Sequence, residues 1–300
     1  MKYTKQIATF VKTACKKKKV IVIYGPTACG KTGLWVKVAK LLETEIVSTD
    51  SRQIYSWMDI GTGKVTKKEM KKVPHHMIDI ATPDEQFSVG RYKKEALKVM
   101  KQLWTEWKIP VLVGGTWLYI DALIFDFQAP KCPEDLTLRK KYEAMAQKHG
   151  KQRVYEALEK IDSEYAKTLH ANNLQYVIRG IEVKTITWKS KLDFQKEKKL
   201  KYDTFFLTPY EDEERVSLYK KIDTRVQGMF ENWLIQEVKK LVKKYGADAP
   251  WLEAIGYTEV IDFLNGKIDE EECLAKVQQN SRNYAKRQVT WFRKYTQFFS

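Results

Sequence analysis

The sequence predicts an α/β fold: a parallel sheet with crossover helices, plus a small helical insertion domain and a helical C-terminal region. Three observations predict it. Between residue 20 and about 125, short β-branched runs alternate with longer amphipathic stretches, the pattern of parallel strands joined by helices. From 134 to 186 the chain is charged, helical in period and poor in strand signals. One more strand-like run, "YDTFFLTPY" at 202–210, then precedes a tail of amphipathic helix.

Taken in order, residues 1–19 form a basic leader with seven lysines and no acid, ending in "KKKK". This composition predicts a solvated helix, the alternative being an arm that touches phosphates. The first core segment, 20–127, begins with the strand "VIVIYG" and a helix from Lys31. "EIVSTDS" is a second strand followed by a polar loop, and "HHMIDI" a third, leading into the helix "SVGRYKKEALKVMKQLWTEW". "IPVLVGG" is a fourth, leading into "TWLYIDALI". The prolines of "QAPKCPED", 128–135, mark a boundary. A mainly helical subdomain over 128–200 follows, and 201–300 returns to the core as a strand and helices, interrupted at "YGADAPW" and "FLNGK" by Gly, Pro and Asn. In such a sheet the ligand site lies at the carboxyl ends of the strands.

Composition narrows the function classes. The 300 residues carry a net charge of +16 and are 43% hydrophobic and 12% aromatic, a folded chain with a basic surface suited to a polyanionic partner. The four cysteines, Cys15, Cys29, Cys132 and Cys273, include no C-x-x-C pair, which argues against a zinc site or disulfide framework and suits a reducing compartment. No apolar run approaches the roughly 18 residues of a membrane span, and "IATFV" is too short for a signal-peptide core. A cytoplasmic protein that contacts no membrane is expected.

Chemistry concentrates just after the strands. "GPTACGKT" spans Gly25, Pro26, Thr27, Ala28, Cys29, Gly30, Lys31 and Thr32 and fits the phosphate-binding loop, making the sheet P-loop NTPase-like. The glycines let successive N–H groups turn inward, the following helix adds partial positive charge, Lys31 reaches outer phosphates, and the Thr32 hydroxyl can ligate Mg2+. The motif specifies a diphosphate or triphosphate without identifying the molecule. Asp50 follows the second strand, where it could be a turn cap or a catalytic carboxylate. "VGGTWLY" offers Thr116 after two glycines. Neither segment supplies the acidic end of a Walker B strand, and no lid with paired arginines is evident.

Six blocks in this order and spacing, "GPTACGKT", "DSRQIYSWMDIGT", "PHHMIDI", "IPVLVGGTWLYIDAL", "IGYTEV" and "YAKRQVTWFRK", resemble the bacterial-type tRNA dimethylallyltransferases, also called tRNA isopentenyltransferases, over residues 20 to 295. The resemblance implies that the loop binds the diphosphate of dimethylallyl diphosphate. It implies transfer of the dimethylallyl group to the N6 amine of the adenosine 3′ of the anticodon. Asp50 would be the general base, because an aryl amine is a poor nucleophile whose proton a nearby carboxylate helps remove. Thr27, Lys31, Mg2+ and Arg225, in "LYKKIDTRVQGMF", would stabilise the departing diphosphate. Asp50, Ser51, Arg52, Gln53 and Thr116 match the segments facing the target base, which must leave its stack to react. Arg139, Gln175 and Arg179 match further RNA contacts. The chain departs from the family pattern at Lys221, Tyr176 and Thr258.

In "SRNYAKRQVTWFRK" a helix would place Arg282, Lys286 and Arg293 on one face. That stripe is either a solvated face or a track for phosphates; with the net charge, the second is expected. The partners expected are therefore the tRNA anticodon stem-loop and dimethylallyl diphosphate, with the protein acting as a monomer. The alternatives are a prenyltransferase acting on free adenine nucleotides, a P-loop small-molecule kinase and a non-catalytic RNA-binding protein with a decayed loop. The basic tail and the helical insertion favour a macromolecular acceptor over the first, and the intact Gly25, Gly30, Lys31 and Thr32 set speaks against the last.

Overall fold

The computed structural model describes residues 3–13, 17–71, 73–125, 130, 132–194, 199–210 and 215–298. Cys15 and residues 128, 129 and 131 of the boundary segment lie outside them. The chain divides into two compact units, Met1–Ile124 with Leu200–Ser300, and Phe125–Lys199.

In chain order, the first unit contributes α1 (Thr4–Lys12), β1 (Lys19–Tyr24), α2 (Lys31–Leu41), β2 (Ile46–Ser48), α3 (Lys67–Met70), β3 (His75–His76), α4 (Val89–Thr105), β4 (Val111–Gly114) and α5 (Trp117–Ile124). The second unit holds α6 (Leu136–His149), α7 (Lys151–Ile161), α8 (Ser163–Ala166) and α9 (Leu174–Thr187). The first unit resumes with β5 (Asp203–Leu207), α10 (Arg215–Glu231), α11 (Leu234–Tyr245), α12 (Tyr257–Leu264) and α13 (Glu270–Phe292).

The sheet runs β3-β2-β4-β1-β5 with every pairing parallel. Its interior strand β1 is buried from Val20 to Tyr24, which explains the unbroken apolar run: a parallel strand covered on both faces has no polar side. Ile21 and Ile23 pack with Trp35 and Val38 of α2 and with Val111 of β4. β1, β2 and β4 all end beside one another, because Tyr24 pairs with Gly114 and Ser48 with Val113. The loops at 25–30, 49–53 and 115–116 therefore leave the sheet together.

The leader departs from its sequence reading. α1 is docked: Ile7 is 1% exposed, Phe10 stacks on Phe205 at 5.3 Å, and Val11 packs against the same core. Ile7, Phe10 and Val11 recur at the i, i+3, i+4 spacing of an apolar stripe, and burying Ile7 alone contributes about 1.5–3 kcal/mol. The lysine count masked that stripe.

The second unit has its own core of Val154, Leu158, Tyr165, Val177 and Ile181. Within it, Glu182 is fully buried and gathers two arginines: Arg139 Nε and Nη2 donate to its two oxygens at 3.0 and 2.9 Å, and Arg179 Nη1 donates to Oε2. The amide of Asp135 donates to Oε1 at 2.7 Å.

Among the described residues, eight non-glycine residues adopt left-handed backbone, and four of them are tryptophans: Trp57 (φ 65°), Trp107 (61°), Trp188 (61°) and Trp233 (75°). Trp107 follows the end of α4 and Trp188 caps α9, positions at which helices favour glycine.

Candidate active site

The three loops enclose a cavity of about 790 Å³, lined within the first unit by residues 27–32, by 50–53 and by the 61–65 turn. Lys221 and Arg225 of α10, Tyr257 of α12 and Tyr284, Arg287 and Gln288 of α13 complete the wall.

The phosphate loop is preformed. Gly30 is left-handed (φ 88°) at the start of α2. Lys31 Nζ donates to the carbonyls of Gly25 and Pro26 at 3.0 and 2.8 Å, folding its ammonium over the loop. The Thr27 amide donates to Gln288 Oε1 at 2.9 Å. Among the described residues the amides of Ala28, Gly30, Lys31 and Thr32 have no protein acceptor, so four N–H groups are left at a helix N-terminus, the arrangement that binds anions. Arg225 adds a guanidinium: Nη1 donates to Thr27 Oγ1 at 2.8 Å, and Nη2 lies 3.4 Å from the Thr62 carbonyl. A Cβ on Gly63 would overlap Nη2, so a glycine is needed there for the guanidinium to reach the loop. Burial lowers the pKa of Arg225 below its ordinary value, while the Asp50 carboxylate nearby acts in the opposite sense.

Asp50 follows β2. Its Oδ1 accepts from the amides of Arg52 and Gln53 at 2.9 and 3.3 Å, a turn cap. Among the described residues Oδ2 has no hydrogen-bond partner, and Asp50 lines the cavity. The cap reading describes Oδ1, and Oδ2 is the carboxylate oxygen left open. Thr116 Oγ1 accepts from the Ser51 amide at 2.9 Å and donates to Ser51 Oγ at 3.2 Å, tying the loop after β4 to the one after β2. Arg52 is engaged with the backbone, donating to the carbonyl of Glu253 at 3.1 Å. Gln53 Nε2 reaches the Gly63 carbonyl at 3.4 Å.

The remaining expected residues lie outside this cavity. Arg139 and Arg179 are paired with Glu182, while Gln175 is exposed on α9. On α13, Arg282 donates to Asp223 Oδ1 at 2.5 Å. Lys286 is exposed, and Arg293 is exposed just past the helix end. Of the departures, Lys221 lines the cavity, Tyr176 is exposed with Lys191 over its ring at 5.3 Å, and Thr258 Oγ1 faces the Leu252 carbonyl at 3.4 Å.

Two residues that sequence reading passed over hold the site together. Glu237 accepts from the amides of Asp59, Ile60 and Gly61 and from Tyr257 Oη, fixing the turn that carries Gly63. Gln288 is 2% exposed. A signal for it was present: it occupies the buried stripe Ala285, Gln288, Phe292 of α13, where a polar side chain needs partners.

An anion cradle at a helix N-terminus, a half-buried arginine over it and a carboxylate-bearing turn across the same cavity define an enzyme of the phosphate-loop α/β class. The family described as IPP transferase matches residues 53–295. A tRNA dimethylallyltransferase of Caldanaerobacter subterraneus subsp. tengcongensis is 42% identical over 92% of this chain and 89% of its own length, and one of Halothermothrix orenii is 46% identical over 92% and 84%. A tRNA isopentenylpyrophosphate transferase structure from Bacillus halodurans superposes with a TM-score of 0.65 at 40% identity, covering 93% of this chain and 87% of that one. A eukaryotic dimethylallyltransferase acting on tRNA gives a TM-score of 0.77 at 30% identity, covering 92% and 70%. The chain belongs to the IPP transferase family, the tRNA dimethylallyltransferases.

Proposed function

We propose that the protein transfers the dimethylallyl group of dimethylallyl diphosphate to N6 of the adenosine 3′ of the anticodon in tRNA, in the cytoplasm and as a monomer. The observation that carries this reading is the shared cavity, with an anion cradle of open loop amides on one side and the open Oδ2 of Asp50 on the other. The loop amides, Lys31, Thr27 and Arg225 hold the diphosphate and take up its charge as the allylic C–O bond breaks and the electron pair leaves on oxygen. The N6 lone pair forms the new N–C bond, and the N6 proton passes to Asp50 Oδ2.

Among the described residues no cluster of three or more acidic, His or Cys side chains could hold a metal by itself. A single hydroxyl fits Mg2+, which binds through few protein ligands together with substrate phosphate oxygens. Thr32 Oγ1 would hold it, and when bound it would supply charge neutralisation at the diphosphate. Ser51, Arg52, Gln53 and Thr116 would face the target base. Arg139, Gln175, Arg179, Arg282, Lys286 and Arg293 would meet the RNA, with Arg139, Arg179 and Arg282 doing so from within existing ion pairs. Chain-wide charge of +16 supports a polyanionic acceptor.

The test is mass spectrometry of nucleosides after incubating the protein with Mg2+, dimethylallyl diphosphate and an anticodon stem-loop, with AMP and ATP as comparison substrates. N6-dimethylallyladenosine in the stem-loop and none in AMP is expected. Transfer to AMP alone, or ATP consumption without prenylation, would overturn the reading. No helix is long and apolar enough to cross a membrane among the described residues.

A further inference from the structure

Gln288 joins the phosphate loop to the loop after β4 at the wall of the cavity. Its side-chain amide is buried between two loops, with Oε1 accepting from the Thr27 amide and Nε2 donating to the Gly115 carbonyl, both at 2.9 Å. One amide orientation satisfies both contacts, since a flipped group would set donor against donor and acceptor against acceptor. The fit is close, because a Cβ on Gly115 would collide with Nε2. On the donor side, Thr27 is also the residue that Arg225 grips. On the acceptor side, Gly115 precedes Thr116, whose hydroxyl holds Ser51 and whose amide donates to the Thr49 carbonyl at 3.1 Å. Thr49 and Ser51 flank Asp50 in the chain.

We infer that Gln288 is a positioning residue for the transfer reaction. It sets the phosphate loop in register with the Asp50 turn, so that the breaking C–O bond and the base stand at a fixed separation. It acts through the two loops it bridges, and the inference rests on the prenyl-transfer reading above. A misplacement of about 1 Å at a reacting centre costs about 10²-fold in rate, so losing the bridge should slow chemistry and leave binding nearly intact.

Gln288→Met tests this, because it keeps length and volume while removing both hydrogen bonds. The expected result is a single-turnover rate about 10- to 100-fold lower, with the KM for dimethylallyl diphosphate and the Kd for the stem-loop within about threefold of wild type. Gln288→Asn, one methylene too short to span the two loops, should show the same split, and it serves if the Met variant does not fold. Either variant turning over at the wild-type rate would overturn the inference, as would a loss confined to KM. A wild-type protein without prenyl-transfer activity would instead sink the functional reading itself.

Discussion

Asp50 caps a turn and is the proposed base, and one substitution separates the two roles. Asn at this position keeps an oxygen to cap the Arg52 and Gln53 amides and removes the base. Single-turnover prenylation by Asp50→Asn should fall by about 10²- to 10⁴-fold while stem-loop affinity stays within about threefold; an unchanged rate, read in rapid-quench experiments, would leave Asp50 as a cap only. The loop and Asp50 were legible because their chemistry is written in contiguous residues after strands. Gln288, Glu237 and the Gly63 turn were not, because their meaning comes from partners far along the chain, 261 residues away in the case of Gln288 and Thr27. Periodicity can flag a polar residue on a buried stripe, but it cannot say which backbone groups will face it.

Helix ends and a buried carboxylate set the behaviour of individual elements. Trp107 is 96% exposed and Trp188 86%, so their rings contribute little packing while each backbone sits in left-handed space. Replacing either with glycine should stabilise the protein by about 1 kcal/mol, seen as a higher thermal midpoint. The ion cluster around Glu182 behaves oppositely. Burial alone would raise its pKa, but hydrogen bonds from Arg139 and Arg179 prevail and hold it below its ordinary 4.5. A lowered folded pKa gives stability that is complete above 4.5 and disappears as pH falls through the folded value. Hydrogen exchange in α9 should therefore accelerate on acidification below that point, and Glu182→Gln should remove this pH dependence. Removing one partner of a buried ion pair typically costs on the order of 3–5 kcal/mol. The resemblance gave Arg139 and Arg179 as RNA contacts, whereas their pairing with Glu182 comes only from the packing of the helices. Helix and strand order was readable throughout the core, since period 3.6 and β-branched runs are local, whereas the docking of α1 depended on Phe205 far down the chain.

For the whole molecule, the net charge of +16 predicts salt-sensitive RNA binding. Arg282 is held by Asp223, which leaves Lys286 and Arg293 as the exposed members of the stripe. Replacing these two with Gln should make the slope of log affinity against log salt shallower by about 1.4, at about 0.7 per contact, on every tRNA sequence alike. Filter binding across a salt series measures it, and a slope equal to wild type would mark the stripe as a solvated face. The four left-handed tryptophans reach further, to the gene. Tryptophan's codon UGG differs by one base from UGA, which different genetic codes read as stop, as tryptophan or as glycine. Cells that read UGA as glycine would relieve all four turns at once. The expected finding is UGA at codons 57, 107, 188 and 233, and glycine at those positions in peptides of the protein isolated from its own cells. UGG codons with tryptophan-containing peptides would instead make the four strained turns a property of the chain itself.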